Sequence, residues 1–143
     1  MHDLSQLARS LEQGQVEQAT AETQKAIEAG VPTKTILDEG LIAGMTIVGE
    51  KFKAHEIFLP DVLLAAKAMY AGLGLLEPLM VDAGIPPRGR VILGTVRGDL
   101  HDIGKNLVGI MLRGAGFEVI DLGKDVAPER YVDEAERSGA DVV

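Results

Sequence analysis

The stretch that decides the fold is Val91-Ile-Leu-Gly-Thr-Val96, followed by Arg97-Gly-Asp-Leu-His-Asp-Ile-Gly104. The first six residues are mostly apolar or β-branched, as in a buried strand. The residues that come next, Lys105-Asn-Leu-Val-Gly-Ile-Met-Leu112, have the apolar period of a helix. The polar segment between them is therefore predicted to be a loop at the carboxyl end of a strand, which is the edge where parallel sheets bind ligands.

This loop carries an Asp-x-His-x-x-Gly pattern formed by Asp99, His101 and Gly104. Side chains two residues apart in an extended loop point to the same side, so we predict that the Asp99 carboxylate accepts an N–H bond from the His101 imidazole. Such a bond fixes the tautomer of the ring and raises its basicity as a metal ligand. Because Gly104 leaves room at the start of the helix, the pattern favours a bulky metal-containing cofactor over a bare ion.

A plainer interpretation of the loop is helix capping. Asp99 or Asp102 can serve as the residue that caps a helix beginning near Gly104. The two other histidines have equally plain interpretations, because His2 lies in an N-terminal segment that we expect to be disordered and His55 lies in a polar turn between helices.

Residues 1–83 show the period of four amphipathic helices with short connections, which predicts an antiparallel four-helix bundle. Gly30 and Pro32 end the second helix, and Pro60 begins the fourth. We expect Pro78 to kink or break that last helix, because proline removes a backbone donor. The four apolar stripes are Leu4, Leu7, Ala8 and Leu11; Val16, Ala19, Thr23 and Ile27; Leu37, Leu41, Met45, Val48 and Phe52; and Val62, Leu63, Ala66, Met69, Leu73 and Leu76.

The run Gly84-Ile-Pro-Pro-Arg-Gly-Arg90 is the predicted linker, since paired prolines and flanking glycines prevent a continuing helix. Residues 91–143 then alternate between strands and helices, which predicts a doubly wound parallel α/β sheet of the Rossmann-like or flavodoxin-like kind. The sequence ends inside the third strand, so we expect the N-terminal half of such a domain, truncated there. Its exposed strand edge favours a homodimer. The predicted strands are 91–96, 117–121 and 140–143, and the predicted helices are 104–114 and 128–138.

Composition disfavours several classes of function. A net charge of −8 and an aromatic content of 3% argue against nucleic-acid and anionic membrane partners. The absence of cysteine excludes disulfides, thiolate zinc sites and a cysteine nucleophile. No Gly-x-Gly-x-x-Gly follows the first strand, so a nucleotide site is disfavoured too. With no secretory leader pattern, we expect a cytoplasmic protein.

The thirteen residues from Val96 to Val108, in their strand, loop and helix context, resemble the cobalamin-binding signature of methionine synthase and the methyltransferase corrinoid proteins. The resemblance implies that cobalamin binds base-off and His-on. His101 then replaces dimethylbenzimidazole as the lower axial ligand of cobalt, with Asp99 as its hydrogen-bond partner. It also implies cofactor contacts from Gly98, Leu100, Asp102, Ile103 and Gly104, and, through a match with a one-residue gap, from Glu39.

The helical half resembles the cap of the same family, which covers the upper face of the corrin ring. The run from Val48 to Pro60 places Phe52 and Leu59 at the two capping positions of that family. The alternative for both residues is ordinary bundle core, where apolar side chains at helical spacing generally lie.

The resemblance implies a methyl carrier, a subunit of a corrinoid-dependent system rather than a complete enzyme. It would move a methyl group between a substrate:corrinoid methyltransferase and a second methyltransferase. Methyltransferase subunits are thus the expected partners, and a corrinoid reductive-activation protein is compatible with this role. In this family the slot for the nucleotide tail of the cofactor follows the third strand, so we expect weak cobalamin retention by residues 1–143 alone.

Two other cobalamin-dependent functions stay open. A sensor or regulatory module uses a similar cap, but no basic helix-turn-helix segment precedes the bundle here. A mutase small subunit shares the Asp-x-His-x-x-Gly pattern but generally lacks the helical cap. A scaffold without a cofactor is the remaining alternative.

Overall fold

The computed structural model describes residues 3–143, so the expectation for His2 lies outside the described residues. The chain divides into two compact units, the first ending at Ile85 and the second beginning at Pro86. This division falls within the predicted linker, residues 84–90. The first unit is helical, and the second combines helices with a parallel sheet.

The first unit is a bundle of four helical rods, as the four apolar stripes predict. Helix α2 (Val16–Glu28) packs on α5 (Leu59–Asp82), and α1 (Ser5–Glu12) packs on both α2 and α4 (Ala43–Lys53). The third rod is continuous but changes its winding, because a π-helical segment separates two α-helical parts. The rods are α1 (Ser5–Glu12); α2 (Val16–Glu28); α3 (Thr33–Thr35) with the π-helical segment (Ile36–Ile42) and α4 (Ala43–Lys53); and α5 (Leu59–Asp82).

The bundle core is aliphatic, and the third rod lies close to α1. A Cβ atom added at Gly44 would lie 2.9 Å from the backbone oxygen of Ala8, and one added at Gly40 would lie 2.5 Å from Leu7 Cδ2. Glycine at these two positions therefore permits a helix contact that a larger side chain would obstruct. The largest fully buried side chains of the bundle are Leu7, Leu11, Ile36, Leu41, Met45, Met69, Leu76, Val48, Val62 and Thr23.

The sequence predicts a kink or a break at Pro78, and helix α5 continues through it to Asp82, which excludes the break. Pro78 lies near the end of the helix and removes only one donor, while Leu76 beside it is fully buried and holds the segment in the core. Within residues 3–143, α5 is the one helix long and apolar enough to cross a membrane. Seven of its residues are buried inside the bundle, which identifies it as a core helix.

The second unit is built around two parallel strands. In the register of β1 (Arg90–Leu93) and β2 (Glu118–Asp121), Arg90 lies opposite Glu118 and Leu93 opposite Asp121. On the other edge of β1, Val142 pairs with Val91 through a single parallel bridge. This order, with β1 between β2 and the last residues, is that of a flavodoxin-like sheet and confirms the predicted fold class. The elements are β1 (Arg90–Leu93), α6 (Ile103–Gly114), β2 (Glu118–Asp121) and α7 (Pro128–Ser138).

Strand β1 is shorter than the predicted 91–96 because its ladder ends at Leu93. Gly94 follows, and a Cβ atom added there would lie 2.6 Å from the hydroxyl oxygen of Tyr131. Beyond this crowded position the chain pairs again only through a single bridge between Val96 and Val126. The loop that carries His101 therefore starts from an irregular pairing of two extended segments.

Candidate functional site

The His101 loop connects β1 to α6 at the carboxyl end of the strand. The His101 side chain is 97% exposed. Asp99 Oδ1 accepts two hydrogen bonds from His101, one from the backbone N–H at 2.9 Å and one from the ring Nδ1–H at 2.6 Å. The hydrogen bond that the spacing predicts between Asp99 and His101 is thus confirmed.

The Asp99 bond determines which nitrogen of the ring is free. A carboxylate can only accept, so Nδ1 carries the proton and the lone pair of Nε2 points away from Asp99. The backbone N–H of His101, followed by the imidazole itself, lowers the pKa of Asp99 below its ordinary value. Asp99 therefore stays ionised at neutral pH and keeps the exposed Nε2 ready to bind a metal.

The backbone of His101 is fixed by a hydrogen bond from Thr95. The Thr95 hydroxyl donates a 2.6 Å hydrogen bond to the carbonyl oxygen of His101, and Thr95 itself is buried. The Asp99 N–H donates to the carbonyl oxygen of Val96 at 3.1 Å. Thr95 was not predicted as a site residue, because a hydroxyl residue near a strand end is too common to single it out.

The surface around His101 is apolar and open. Leu100 is 67% exposed and Ile103 is 72% exposed. A Cβ atom added at Gly98 or at Gly104 would meet no heavy atom within 4 Å. The five residues predicted to contact a cofactor alongside His101 are Gly98, Leu100, Asp102, Ile103 and Gly104, and all belong to this surface or its rim.

The donor set fits a metal that arrives inside a large organic ligand. Among residues 3–143 there is no group of three or more His, Cys, Asp or Glu side chains able to hold a metal ion. A single imidazole, with exposed Leu100 and Ile103 nearby in the same loop, instead provides one axial ligand and apolar surface for a macrocycle. The residues present therefore fit a corrinoid.

The capping alternative is wrong for both aspartates. Asp102 occupies the position that precedes α6, but its side chain makes no capping hydrogen bond. Its Oδ2 instead lies 3.6 Å from Lys124 Nζ. The Asp99 carboxylate bonds to His101, which lies before the helix begins at Ile103.

Lys105 attaches the first turn of α6 to the end of β2. The Lys105 side chain is only 10% exposed, and its Nζ lies 2.8 Å and 2.7 Å from the two carboxylate oxygens of Asp121. The backbone N–H of Gly123 also donates to Asp121 Oδ1, at 2.8 Å. Burial raises the pKa of Asp121, but the bonds from Lys105 and Gly123 and the nearby positive charges outweigh burial and lower it overall.

In the helical unit, Glu39 is exposed and belongs to the π-helical segment, a type of winding that is frequent at functional sites. Phe52 and Leu59 lie on either side of the turn between α4 and α5, and both are only partly buried. Neither residue belongs to the buried core, which weighs against the core alternative. Phe58, in the same turn, is 67% exposed.

Comparison with known families gives two matches in chain order. A family model described as a B12 binding domain matches residues 4–77, and a second model with the same description matches residues 89–143. The first covers the helical unit from α1 into α5, and the second covers the unit that carries His101.

Known proteins are similar to the chain over nearly all of its length. A corrinoid protein of Desulfitobacterium hafniense is 39% identical over 98% of this chain and 66% of its own length. The trimethylamine corrinoid protein 2 of Methanosarcina acetivorans is 44% identical over 89% of this chain and 59% of its own. The chain thus spans about three fifths to two thirds of these relatives.

A solved structure resembles the chain in the same way. The methanol:cobalamin methyltransferase complex of Methanosarcina barkeri aligns with a TM-score of 0.86 and 32% identity, over 96% of this chain and 53% of that one. Since the family matches, the relatives and the fold all agree with the site around His101, the chain belongs to the B12-binding domain family, whose cofactor is cobalamin.

Proposed function

We propose that the chain is the cobalamin-binding portion of a corrinoid methyl carrier, and that His101 is the lower axial ligand of cobalt. The observation that carries this proposal is the exposed imidazole whose Nδ1–H is held by Asp99. This bond leaves the lone pair of Nε2 free to bind a metal. Bound cobalamin supplies a cobalt centre that accepts a methyl group and gives it up again.

The residues of this chain would bind the cofactor, orient the ligand and exclude water. Asp99 keeps the proton on Nδ1 of His101 and raises the basicity of Nε2, so the imidazole can replace dimethylbenzimidazole. Leu100 and Ile103 offer apolar surface to the corrin ring, while Gly98 and Gly104 leave space for it. Asp102 stands at the rim of this surface.

The helical unit would contribute the cap. Phe52 and Leu59 are partly exposed apolar side chains beside the turn between α4 and α5, and we propose that they cover the upper face of the corrin. Glu39 would add a polar contact to the cofactor from the exposed side of the π-helical segment. These three roles are carried over from the family resemblance, and the exposure of the side chains supports them.

The named relatives favour a carrier over the other cobalamin-dependent functions. They are corrinoid proteins, one of them a trimethylamine corrinoid protein, and the similar solved structure is a methanol:cobalamin methyltransferase complex. These names support methyltransferase subunits as partners and disfavour a sensor or a mutase subunit. A reductive-activation protein is a further expected partner, and we expect the carrier to work in the cytoplasm.

The test is electron paramagnetic resonance of the Co(II) form of cobalamin bound to the chain. The chain is labelled with nitrogen-15, so that a protein imidazole on cobalt splits the signal differently from the unlabelled nitrogen of dimethylbenzimidazole. The wild-type chain should show the nitrogen-15 coupling, and His101→Ala should lose it. His55→Asn is the matched control, since His55 is exposed and has a left-handed backbone (φ 59°) that asparagine tolerates. The same nitrogen-15 coupling in wild type and His101→Ala would rule out His101 as the ligand.

A further inference from the structure

The segment after β2, residues 123–126, runs alongside the start of the His101 loop. The Thr95 N–H donates to the carbonyl oxygen of Gly123 at 2.8 Å, and the Val126 N–H donates to the carbonyl oxygen of Thr95 at 2.9 Å. Val96 and Val126 form a parallel bridge. Val126 is almost fully buried, so this segment is anchored in the unit and offers a fixed support to the loop.

Asp125 lies in the middle of this segment and contacts the loop twice. Its backbone N–H donates to the carbonyl oxygen of Asp99 at 3.1 Å, and its Oδ1 accepts the N–H of Gly98 at 2.8 Å. Asp125 has a φ of 53°, in the left-handed region that costs most L-residues about 1–2 kcal/mol but that aspartate tolerates better than most. The residue thus adopts an unusual backbone while bonding to both residues that precede Leu100.

We propose that Asp125 is a positioning residue for His101. It fixes Gly98 and Asp99 from outside the loop, and Asp99 in turn holds the ring and the backbone N–H of His101. The inference deepens the proposed function and rests on it, since the orientation of the imidazole matters only if Nε2 binds cobalt. A misplaced Asp99 would leave the ring free to rotate away from the ligand position.

The side chain of Lys124 contacts the loop more weakly than that of Asp125. Lys124 Nζ lies 3.6 Å from Asp102 Oδ2, and the two side chains are 52% and 41% exposed. An ion pair of that length in solvent contributes little and is screened by salt. Lys124 therefore provides a matched control, because it is adjacent to Asp125 in the same segment and also reaches the loop.

The first experiment uses the chain without cobalamin and three substitutions of Asp125. Asp125→Gly keeps the positive φ without strain but removes the carboxylate, whereas Asp125→Ala removes the carboxylate and adds strain. Asp125→Asn keeps an acceptor oxygen and tolerates the backbone. Amide hydrogen exchange measured by NMR should show the Gly98 amide exchanging about threefold to tenfold faster in Asp125→Gly, the range expected for one lost hydrogen bond.

The same spectra should show the His101 ring signals shifting in Asp125→Gly. Asp125→Asn and Lys124→Ala should retain the wild-type Gly98 protection and ring signals. Asp125→Ala should resemble Asp125→Gly in these signals and should also unfold at a lower temperature, because it alone carries the strain.

The second experiment loads the same variants with cobalamin and measures the Co(II) resonance spectrum. We expect half-maximal histidine nitrogen coupling to require on the order of tenfold more cobalamin in Asp125→Gly than in the wild type. This is the low end of the range for partners that orient a metal ligand. Asp125→Asn should restore the wild-type titration, which a loss of general stability would not explain. Lys124→Ala should also titrate as wild type.

Two results would overturn the inference alone. One is an Asp125→Gly chain with wild-type Gly98 exchange and wild-type nitrogen coupling. The other is an Asp125→Gly chain whose α/β unit unfolds, which would assign Asp125 a structural role. A wild-type chain that binds cobalamin without histidine nitrogen coupling would instead overturn the proposed function itself, and with it the role of Asp125 in ligation.

Discussion

The two units of this protein are each stabilised in a different way. The helical unit buries large aliphatic side chains such as Leu11, Leu41 and Met69 in a continuous core. The α/β unit buries few large side chains and instead fixes an exposed loop with hydrogen bonds that Thr95 donates and Asp125 accepts. Apolar burial stabilises a fold but gives no direction to a reactive group, whereas a polar network can orient a side chain that remains in solvent.

The largest expected effect tests the buried core of the helical unit. Leu41 is fully buried, so Leu41→Ala should lower the free energy of unfolding of the bundle by about 2–5 kcal/mol. Leu63→Ala is the matched control, because Leu63 is 46% exposed and its truncation should cost only about 1 kcal/mol. Denaturant unfolding followed by helical circular dichroism measures both, and equal losses would contradict the core assignment.

The next effect tests the hydrogen bond between Asp99 and His101. Asp99→Asn keeps the shape of the side chain but removes the charge that holds Nδ1–H, so the affinity for cobalamin should fall about 10–100-fold. Thermal unfolding should change little, because the Asp99–His101 pair is exposed. Titration with cobalamin followed by its visible spectrum measures the affinity. An unchanged affinity would show that the hydrogen bond of the free chain is not used for ligation.

A smaller effect concerns acid stability of the α/β unit. The pKa of Asp121 lies below its ordinary value of 3.8, so its pairing with Lys105 stabilises the fold above about pH 4 and is lost as the pH falls through the pKa of the folded state. Lys105→Met should reduce stability at neutral pH on the order of 1–2 kcal/mol, between the values for exposed and buried pairs. It should reduce stability less in acid.

The control for Lys105 is Arg137→Gln, which removes the solvent-exposed cation of an ion pair with Glu134 in the same unit. That substitution should change stability much less than Lys105→Met does at neutral pH, because the Arg137 side chain is 78% exposed and solvent screens its charge. Unfolding followed from about pH 3 to pH 7 distinguishes the two variants. Parallel pH profiles for wild type and Lys105→Met would mean that the pair does not stabilise the ionised form of Asp121.

The sequence predicts the parts of this molecule that depend on local spacing. Helical periodicity places the bundle rods, and the two-residue separation of Asp99 and His101 predicts their bond. Lys105 and Asp121 are 16 residues apart, and Gly98 and Asp125 are 27 apart. No periodic pattern marks such pairs, because they meet only after the parallel strands align. Pro78 does not end α5, since burial of the neighbouring core outweighs one missing donor.

The smallest expected effect on stability tests whether the surface beside the turn between α4 and α5 covers a cofactor. Phe52 and Leu59 are partly exposed, so Phe52→Ala or Leu59→Ala should cost only about 1 kcal/mol of stability, as for a half-buried side chain. If these side chains shield the upper face of the corrin, either substitution should speed the photolysis of bound methylcobalamin, because the methyl radical escapes before it recombines. Leu63→Ala, outside this turn, should leave the photolysis rate at the wild-type value. Unchanged photolysis in both variants, together with a stability loss of several kcal/mol, would instead assign Phe52 and Leu59 to the bundle core.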